Sequence, residues 1–360
     1  MEKFANRIIN WQKISGRHDL PWQRTQDPYR VWLSEIMLQQ TQVTAVIGYY
    51  QRFLNTCPTL TDLAAASSDT VMQLWAGLGY YARARNLHKA AQIVVRDHAG
   101  VFPSAFADIV ALPGIGRSTA GAISAFCFAQ RTAILDGNVK RVFTRHFGIE
   151  GDPSKKPIET ALWQLAEAQL PLANMAEFTQ GLMDLGASLC SRTAPKCLLC
   201  PLAETCVAKR DGLTASLPTR KVKKAVPHKE TTLLILMEHD KVLIEQRPPT
   251  GIWGGLWSLP DLGADFAFKE SLKTPVNRAS SAYGLDDFKG KNLAVEEHGF
   301  THFTLSITPF LVDLTEQKRS STLMAQQSKT KWLNLSEIET AALPAPVKRI
   351  LLKLILKKSA

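Results

Sequence analysis

Cysteine is scarce in this sequence. Six residues in 360 are too few for a disulfide framework. Long hydrophobic runs are missing as well: nothing approaches the roughly 18 consecutive apolar residues of a membrane span. The longest candidate, around Leu351 to Leu356, is interrupted by Lys353. The opening residues Met1-Glu2-Lys3-Phe4-Ala5-Asn6-Arg7 hold no apolar secretion segment, which points to the cytosol. Acidic residues are in deficit too, 32 against 43 Lys and Arg, leaving a net charge of +11. That surplus favours a polyanionic partner, nucleic acid ahead of an anionic membrane. What is present, 45% hydrophobic and 21% charged residues, is an ordinary globular composition that excludes collagen-like and disordered classes. The length suggests two domains, or three.

From residue 1 to 208 the pattern is helical almost throughout. Asp27-Pro28 resembles an N-cap and first-turn proline, opening a helix through Val31, Trp32, Glu35 and Leu38. Pro157 opens another through Leu162 and Leu165. Asn174 with Glu177 predicts a capping box for a helix running to about Leu189. The first domain is therefore expected to be all-α. Between Lys209 and Lys229, seven Lys and Arg face one Asp, and Pro218 and Pro227 intervene; residues 209–229 read as a basic, extended linker. Beyond it, Thr231 to Met237 and Lys241 to Gln246 are apolar β-rich runs split by Glu238-His239-Asp240, a hairpin signature. A further strand-like run spans Phe303 to Leu314, and Pro346 opens a last amphipathic helix. Residues 230–360 are expected to form an α+β domain.

Four of the cysteines crowd together as Cys190-x6-Cys197-x2-Cys200-x5-Cys206. Four thiolates in one short loop satisfy a tetrahedral zinc or a [4Fe–4S] cluster. Zinc sites more often pair two C-x2-C knuckles, and only one is present, so the chemistry favours iron–sulfur over zinc. Cys57 and Cys127 lie in apolar surroundings and read as small buried hydrophobes. In Leu112-Pro113-Gly114-Ile115-Gly116-Arg117-Ser118, two glycines join two helical patterns. Such a turn either presents backbone N–H groups to a phosphate or is a plain αα connection; both readings stand. Asp136 sits where a helix begins, so an N-cap is the simple reading, and that position favours an ionised carboxylate. Lys140, Arg141 and Arg145 on the following helix supply cations, either suited to phosphates or simply solvated. Glu35 contrasts with Asp136: Val31, Trp32 and Leu38 put it beside an apolar helix face, where desolvation raises a carboxyl pKa. Two carboxyls with diverging environments make an acid/base pair if they meet in space.

These residues together resemble the helix-hairpin-helix DNA glycosylase superfamily, and the whole chain resembles its A/G-mismatch-specific adenine glycosylase family. The specific marks are Leu33-Ser34-Glu35-Ile36-Met37-Leu38-Gln39-Gln40-Thr41-Gln42-Val43, Gly77 to Asn86, the Pro113-Gly114-Ile115-Gly116-Arg117 hairpin, Asp136-Gly137-Asn138-Val139 and the cysteine loop. The resemblance implies a base-flipping, monofunctional enzyme, because Ser118 stands where bifunctional relatives carry a Schiff-base lysine. It implies double-stranded DNA holding adenine opposite 8-oxoguanine or guanine as substrate. Glu35 would protonate adenine and Asp136 would stabilise the oxocarbenium-like sugar, a division of labour known from glycoside hydrolysis. Gln40 and Tyr80 match residues that wedge into the base stack, with Thr41 and Leu78 near the orphaned base. Trp22 and Gln180 match the adenine pocket, and Ser118 and Asn138 lie near the sugar phosphate. Gly114, Gly116, Arg117 and Lys140 would hold backbone phosphates. Cys190, Cys197, Cys200 and Cys206 would ligate the cluster. Phe300, Thr301 and His302 match a loop that senses 8-oxoguanine, with Thr301 where the family often has serine. Residues 230–360 resemble the Nudix fold, yet no acidic metal-binding helix follows Gly254 to Pro260; Asp261, Asp265 and Glu270 are scattered. A recognition module without hydrolase activity is expected. A nucleotide-pool hydrolase and a non-catalytic damage-binding protein are the alternatives. A monomer in the bacterial cytoplasm, drawn to the nucleoid by DNA, completes the expectation.

Overall fold

In the computed structural model, residues 3–219, 225–264, 267–269, 274–276, 290–300, 302–315 and 329–358 are described. Thr301, Asp265 and Glu270 fall outside them. The chain divides into two compact units, Met1–Ala66 with Asn86–Lys223 and Ser67–Arg85 with Lys224–Ala360.

The first unit is helical: α1 Phe4–Ser15, α2 Pro28–Leu38, α3 Val43–Thr56 and α4 Leu60–Ala65 precede the break, and α5 Ser68–Trp75 belongs to the second unit. After α6 Ala82–Asp97 come α7 Phe106–Ala111, α8 Arg117–Phe128, α9 Gly137–Phe147, α10 Lys156–Ala168, α11 Met175–Asp184 and α12 Val207–Arg210. Asp27 caps α2 as expected, its carboxylate accepting from Tyr29 N at 2.9 Å, with Pro28 in the first turn. The capping box at Asn174 does not form. Asn174 is left-handed (φ 58°) and its side chain makes no cap bond; asparagine tolerates that conformation, and here it turns the chain into α11. The helix does reach Leu189, but its last stretch, Leu185–Leu189, is a π-helix. Ile8, Phe143, Phe178, Leu182 and Leu185 pack in one core, each no more than 2% exposed.

The second unit holds a mixed sheet in the order β10-β2-β1-β9-β7. Its strands are β1 His228–Glu238, β2 Lys241–Gln246, β3 Trp257–Ser258, β4 Asp261–Gly263, β7 Lys291–Asn292, β8 Glu296–Gly299, β9 Thr304–Asp313 and β10 Thr330–Asn334; β5 Ala267–Lys269 and β6 Thr274–Val276 form a separate ladder. The expected hairpin is present, with Met237 opposite Val242 and Glu238 opposite Lys241. The expected strand at 303–314 is β9, which runs parallel to β1 from His228 opposite Thr304 to Met237 opposite Asp313. A central strand covered on both faces reads as a continuous apolar run, and residues 232–237 are all buried. The closing helix α13 is Ala345–Lys358. Its Val347, Ile350, Leu351 and Leu354 are buried at the spacing of one helix face.

Candidate active site

Glu35 lies on the last turn but one of α2, whose Trp32, Leu33, Ile36 and Met37 are at most 2% exposed. That packing fixes the helix and leaves Glu35 half-buried on the wall of a cavity of about 440 Å3. The cavity also collects Trp22 and Gln180 with Gln12, Arg17 and Gln23. Its volume is that of a small-molecule site. Trp22 is 7% exposed and stands edge-on to Tyr50, ring centres 5.4 Å apart. Gln180 is oriented from behind: its Nε2 donates to Asp184 at 2.9 Å. Asp184, 1% exposed, also accepts from Arg17 Nε at 2.6 Å and Arg17 N at 2.9 Å.

Asp136 is the N-cap of α9, accepting from Val139 N at 2.8 Å. Burial first, and with it the charge of nearby Asp136, push the Glu35 carboxyl up to about 8. The two carboxyls are thus close enough to feel each other. The expectation that the cap keeps Asp136 at an ordinary or low pKa is not met. Burial outweighs the Val139 and Asn138 N–H groups and Arg141, so its pKa is raised. The charge on Asp136 is part of what holds the proton on Glu35. Ser118, on α8, ties that helix to the residue before Asp136, its Oγ accepting from Leu135 N at 3.0 Å.

The cysteine loop is tied to the same helix. Cys190, Cys197, Cys200 and Cys206 line one small cavity together with Arg145, and all four thiols are unpaired. Burial pushes the Cys200 thiol up to about 11. Among the described residues, no three His, Cys, Asp or Glu converge on a point that could hold one metal ion. Arg141 and Arg145 turn inward rather than offering themselves to phosphate. Arg141 Nε donates to the Cys190 carbonyl at 2.7 Å, and its Nη2 to Gly186 O at 2.7 Å and Asn138 Oδ1 at 2.9 Å. Arg145 donates to Ser191 O at 2.7 Å and to Cys190 Sγ at 3.4 Å. Gly186 permits this closeness: a Cβ there would stand 2.5 Å from Asn138 Cβ. A π segment at such a point fits the habit of these segments to mark functional sites.

In the hairpin, only Gly114 needs its glycine, with φ +80° and Asn86 2.8 Å from where a Cβ would be; Gly116 faces open space. Arg117 is half-exposed and engaged, in an ion pair with Glu167 and 3.9 Å over the Trp163 ring. Lys140 is likewise paired with Glu159 at 2.7 Å. Gln40 and Thr41 follow α2, and Gln40 has φ +56°. Leu78 and Tyr80 belong to the second unit, as do Phe300 and His302. Phe300 stacks on Phe303 with ring centres 4.4 Å apart, and His298 meets it edge-on at 4.6 Å.

Residues 33–168 match the HhH-GPD superfamily of base excision DNA repair proteins, and residues 231–353 match the NUDIX domain. The adenine DNA glycosylase of Buchnera aphidicola subsp. Acyrthosiphon pisum is 37% identical over 348 residues, covering 97% of this chain and 96% of its own. The chain belongs to the adenine DNA glycosylase family. The human adenine DNA glycosylase is 32% identical, over 96% of this chain and 73% of its own. A solved thermostable thymine-DNA glycosylase superposes with a TM-score of 0.53 at 30% identity, over 58% of this chain and 95% of its own. The all-α glycosylase fold and the Nudix-like second fold expected from sequence therefore hold for this family member. Sequence reasoning missed Arg17, Asp184 and the bridging role of Gly186. Arg17 and Asp184 lie 167 residues apart, and nothing in their local spacing marks them as partners.

Proposed function

We propose that the protein hydrolyses the N-glycosidic bond of adenine mispaired with 8-oxoguanine or guanine in duplex DNA, acting as a monofunctional base excision repair glycosylase. The observation that carries the proposal is Glu35: a carboxyl with a pKa near 8 on the wall of a purine-sized cavity, beside a second carboxyl. A flipped adenine enters between Trp22 and Gln180. Glu35 delivers its proton to the ring, which turns a poor anionic leaving group into a neutral one. Asp136, as a carboxylate, stabilises the positive charge that develops on the sugar, and the water whose oxygen bonds to that sugar carbon gives its proton to Glu35, now a carboxylate. Gln40 and Tyr80 wedge into the stack, Thr41 and Leu78 meet the orphaned base, and Ser118 and Asn138 lie by the sugar phosphate. Gly114, Gly116, Arg117 and Lys140 hold backbone phosphates, the last two after exchanging their present carboxylate partners for DNA.

Cys190, Cys197, Cys200 and Cys206 hold a [4Fe–4S] cluster in this reading. Four soft thiols share one cavity, a donor set that fits a [4Fe–4S] cluster. When bound, the cluster orders the loop whose carbonyls Arg141 and Arg145 grip. Residues 1–208 form the glycosylase domain, 209–229 a basic linker and 230–360 an 8-oxoguanine recognition domain in which Phe300, Thr301 and His302 read the lesion. A hydrolase role for the last domain finds no support in Asp261, whose carboxylate is paired with Arg247 at 3.1 Å. The protein works as a monomer in the bacterial cytoplasm, on the nucleoid.

The test is direct. Incubation with an A:8-oxoguanine duplex is expected to release free adenine, with strand scission only after alkali. Conversion of 8-oxo-dGTP to the monophosphate, or tight binding without base release, would overturn the reading. Purified protein is expected to contain iron and to show thiolate-to-iron absorption in the visible; a colourless, zinc-loaded protein would overturn the cluster.

A further inference from the structure

The turn that carries Leu78 and Tyr80 is conformationally expensive. Gly77 and Gly79 have φ of +101° and +72°, and Tyr80 itself sits at φ +49°, a left-handed conformation that strains a residue with a side chain. Such strain persists only where the surroundings over-determine it. A buried arginine contributes to this. Arg83, 9% exposed, reaches back under the turn, and its Nη2 donates to the carbonyls of both Leu78 and Gly79, each at 3.2 Å. Its guanidinium carbon lies 5.3 Å from the Trp75 ring centre and 5.5 Å from that of Tyr80. The Trp75 indole N–H also donates to the Gly79 carbonyl, at 3.1 Å. Tyr80, by contrast, is 43% exposed. A buried cation thus sits between two rings and spans the carbonyls of two adjacent residues.

We infer that Arg83 is the positioning residue of the DNA-inserting turn, holding Leu78 and Tyr80 in the conformation that enters the base stack. The inference rests on the wedge role proposed above for Tyr80. Charge alone does not suffice for this task. A planar guanidinium offers several donors in a fixed fork and a face for each ring, whereas an ammonium is a point charge on a flexible stem. Lysine at this position would keep the charge and N–H donors but lose the planar face that lies near the Trp75 and Tyr80 rings. It would not hold both carbonyls and both rings at once, and Tyr80 would relax from its left-handed backbone.

The experiment uses the full-length protein with Arg83→Lys, and a duplex carrying 2-aminopurine beside adenine opposite 8-oxoguanine. The expected result is a thermal midpoint and undamaged-duplex affinity near wild type. The 2-aminopurine enhancement on flipping should fall, and base release per active site at saturating enzyme should slow by about tenfold to a hundredfold, the scale of a small misplacement. A merely structural Arg83 would instead lower the midpoint and the active fraction, leaving enhancement and rate per active site at wild type; that result overturns the inference. Tyr80→Ala serves as the control. If it too keeps the wild-type enhancement, the wedge reading fails and takes the inference with it. An impaired Tyr80→Ala beside an unimpaired Arg83→Lys overturns Arg83 alone. Should Arg83→Lys not fold, Trp75→Phe removes the second donor to Gly79 while sparing the guanidinium. It is expected to lower the enhancement in the same direction, and an unchanged enhancement there counts against the inference.

Discussion

Glu35 keeps its proton because its surroundings offer the charged form little solvation and a negative neighbour. Its function and its effect on stability therefore have opposite signs. Glu35→Gln is expected to lower base release by at least about a hundredfold, the typical share of a general acid, while a duplex-binding assay shows affinity near wild type. The same variant should be more stable at alkaline pH. The folded protein holds this proton up to about pH 8, whereas the unfolded chain gives it up near the ordinary glutamate value. Folded stability is consequently lost as pH rises from the unfolded value through about 8, and the amide removes that loss. Thermal midpoints of wild type and variant should coincide near pH 4 and diverge progressively to pH 8. Base release should follow a bell, falling as Glu35 deprotonates near 8 and again on the acid side as Asp136 takes up its proton, above the ordinary aspartate value. Asp136→Asn keeps an acceptor for Val139 N but removes the charge that raises Glu35. The Glu35 carboxyl, followed by 13C NMR, is then expected to titrate below 8.

At the scale of elements, the pair is positioned by α2, α9 and the π segment Leu185–Leu189. Gly186 is where this last piece can be tested. A methyl group there would stand 2.5 Å from Asn138 Cβ and 3.1 Å from its Cα, and Asn138 both touches Asp136 and accepts from Arg141. Gly186→Ala is expected to slow single-turnover base release on the order of a hundredfold and to cost roughly 1–3 kcal/mol in denaturant unfolding. Wild-type rate with wild-type stability would show that the contact does not matter. Much of this layer was legible in the sequence. Asp27-Pro28 announced α2, the spacing of Val31, Trp32 and Leu38 put Glu35 at the edge of an apolar face, and Asp136 before Val139 read as a cap. What was not legible depends on the third dimension. The pKa of Asp136 is a contest between its cap and its burial, and burial depth has no local signature. Asn174 carries capping-box chemistry, but tertiary packing gives it a left-handed backbone instead. Arg141 and Arg145 read as free cations because the carbonyls that claim them come from residues 45 or more positions away.

In the molecule as a whole, the segment Ser67–Arg85 clusters with residues 224–360. Trp257 Nε1 donates to Asp69 at 3.3 Å, Gln73 Nε2 to the Thr340 carbonyl at 2.9 Å, and Arg85 to the Gly254 carbonyl. The turn with Leu78 and Tyr80 is thus flanked on both sides by residues whose partners lie beyond position 250. Removing the chain after residue 225 would remove all three partners. It would take away the loop proposed to sense the lesion at the same time, so truncation confounds two effects that point variants separate. Phe300→Ala leaves the Ser67–Arg85 contacts in place and removes a ring stacked on Phe303 and met by His298. It is expected to reduce the preference for A:8-oxoguanine over A:G while leaving the A:G single-turnover rate within about twofold, since Glu35 and Asp136, the carboxyls proposed to break the bond, are untouched. Truncation at 225 is expected to lower both rates, the A:G rate included, and to weaken the 2-aminopurine signal of flipping. Equal loss on both substrates from Phe300→Ala would remove the case for a separate recognition loop. An A:G rate left intact by the truncation would show that Ser67–Arg85 holds its working conformation without the partners it has here.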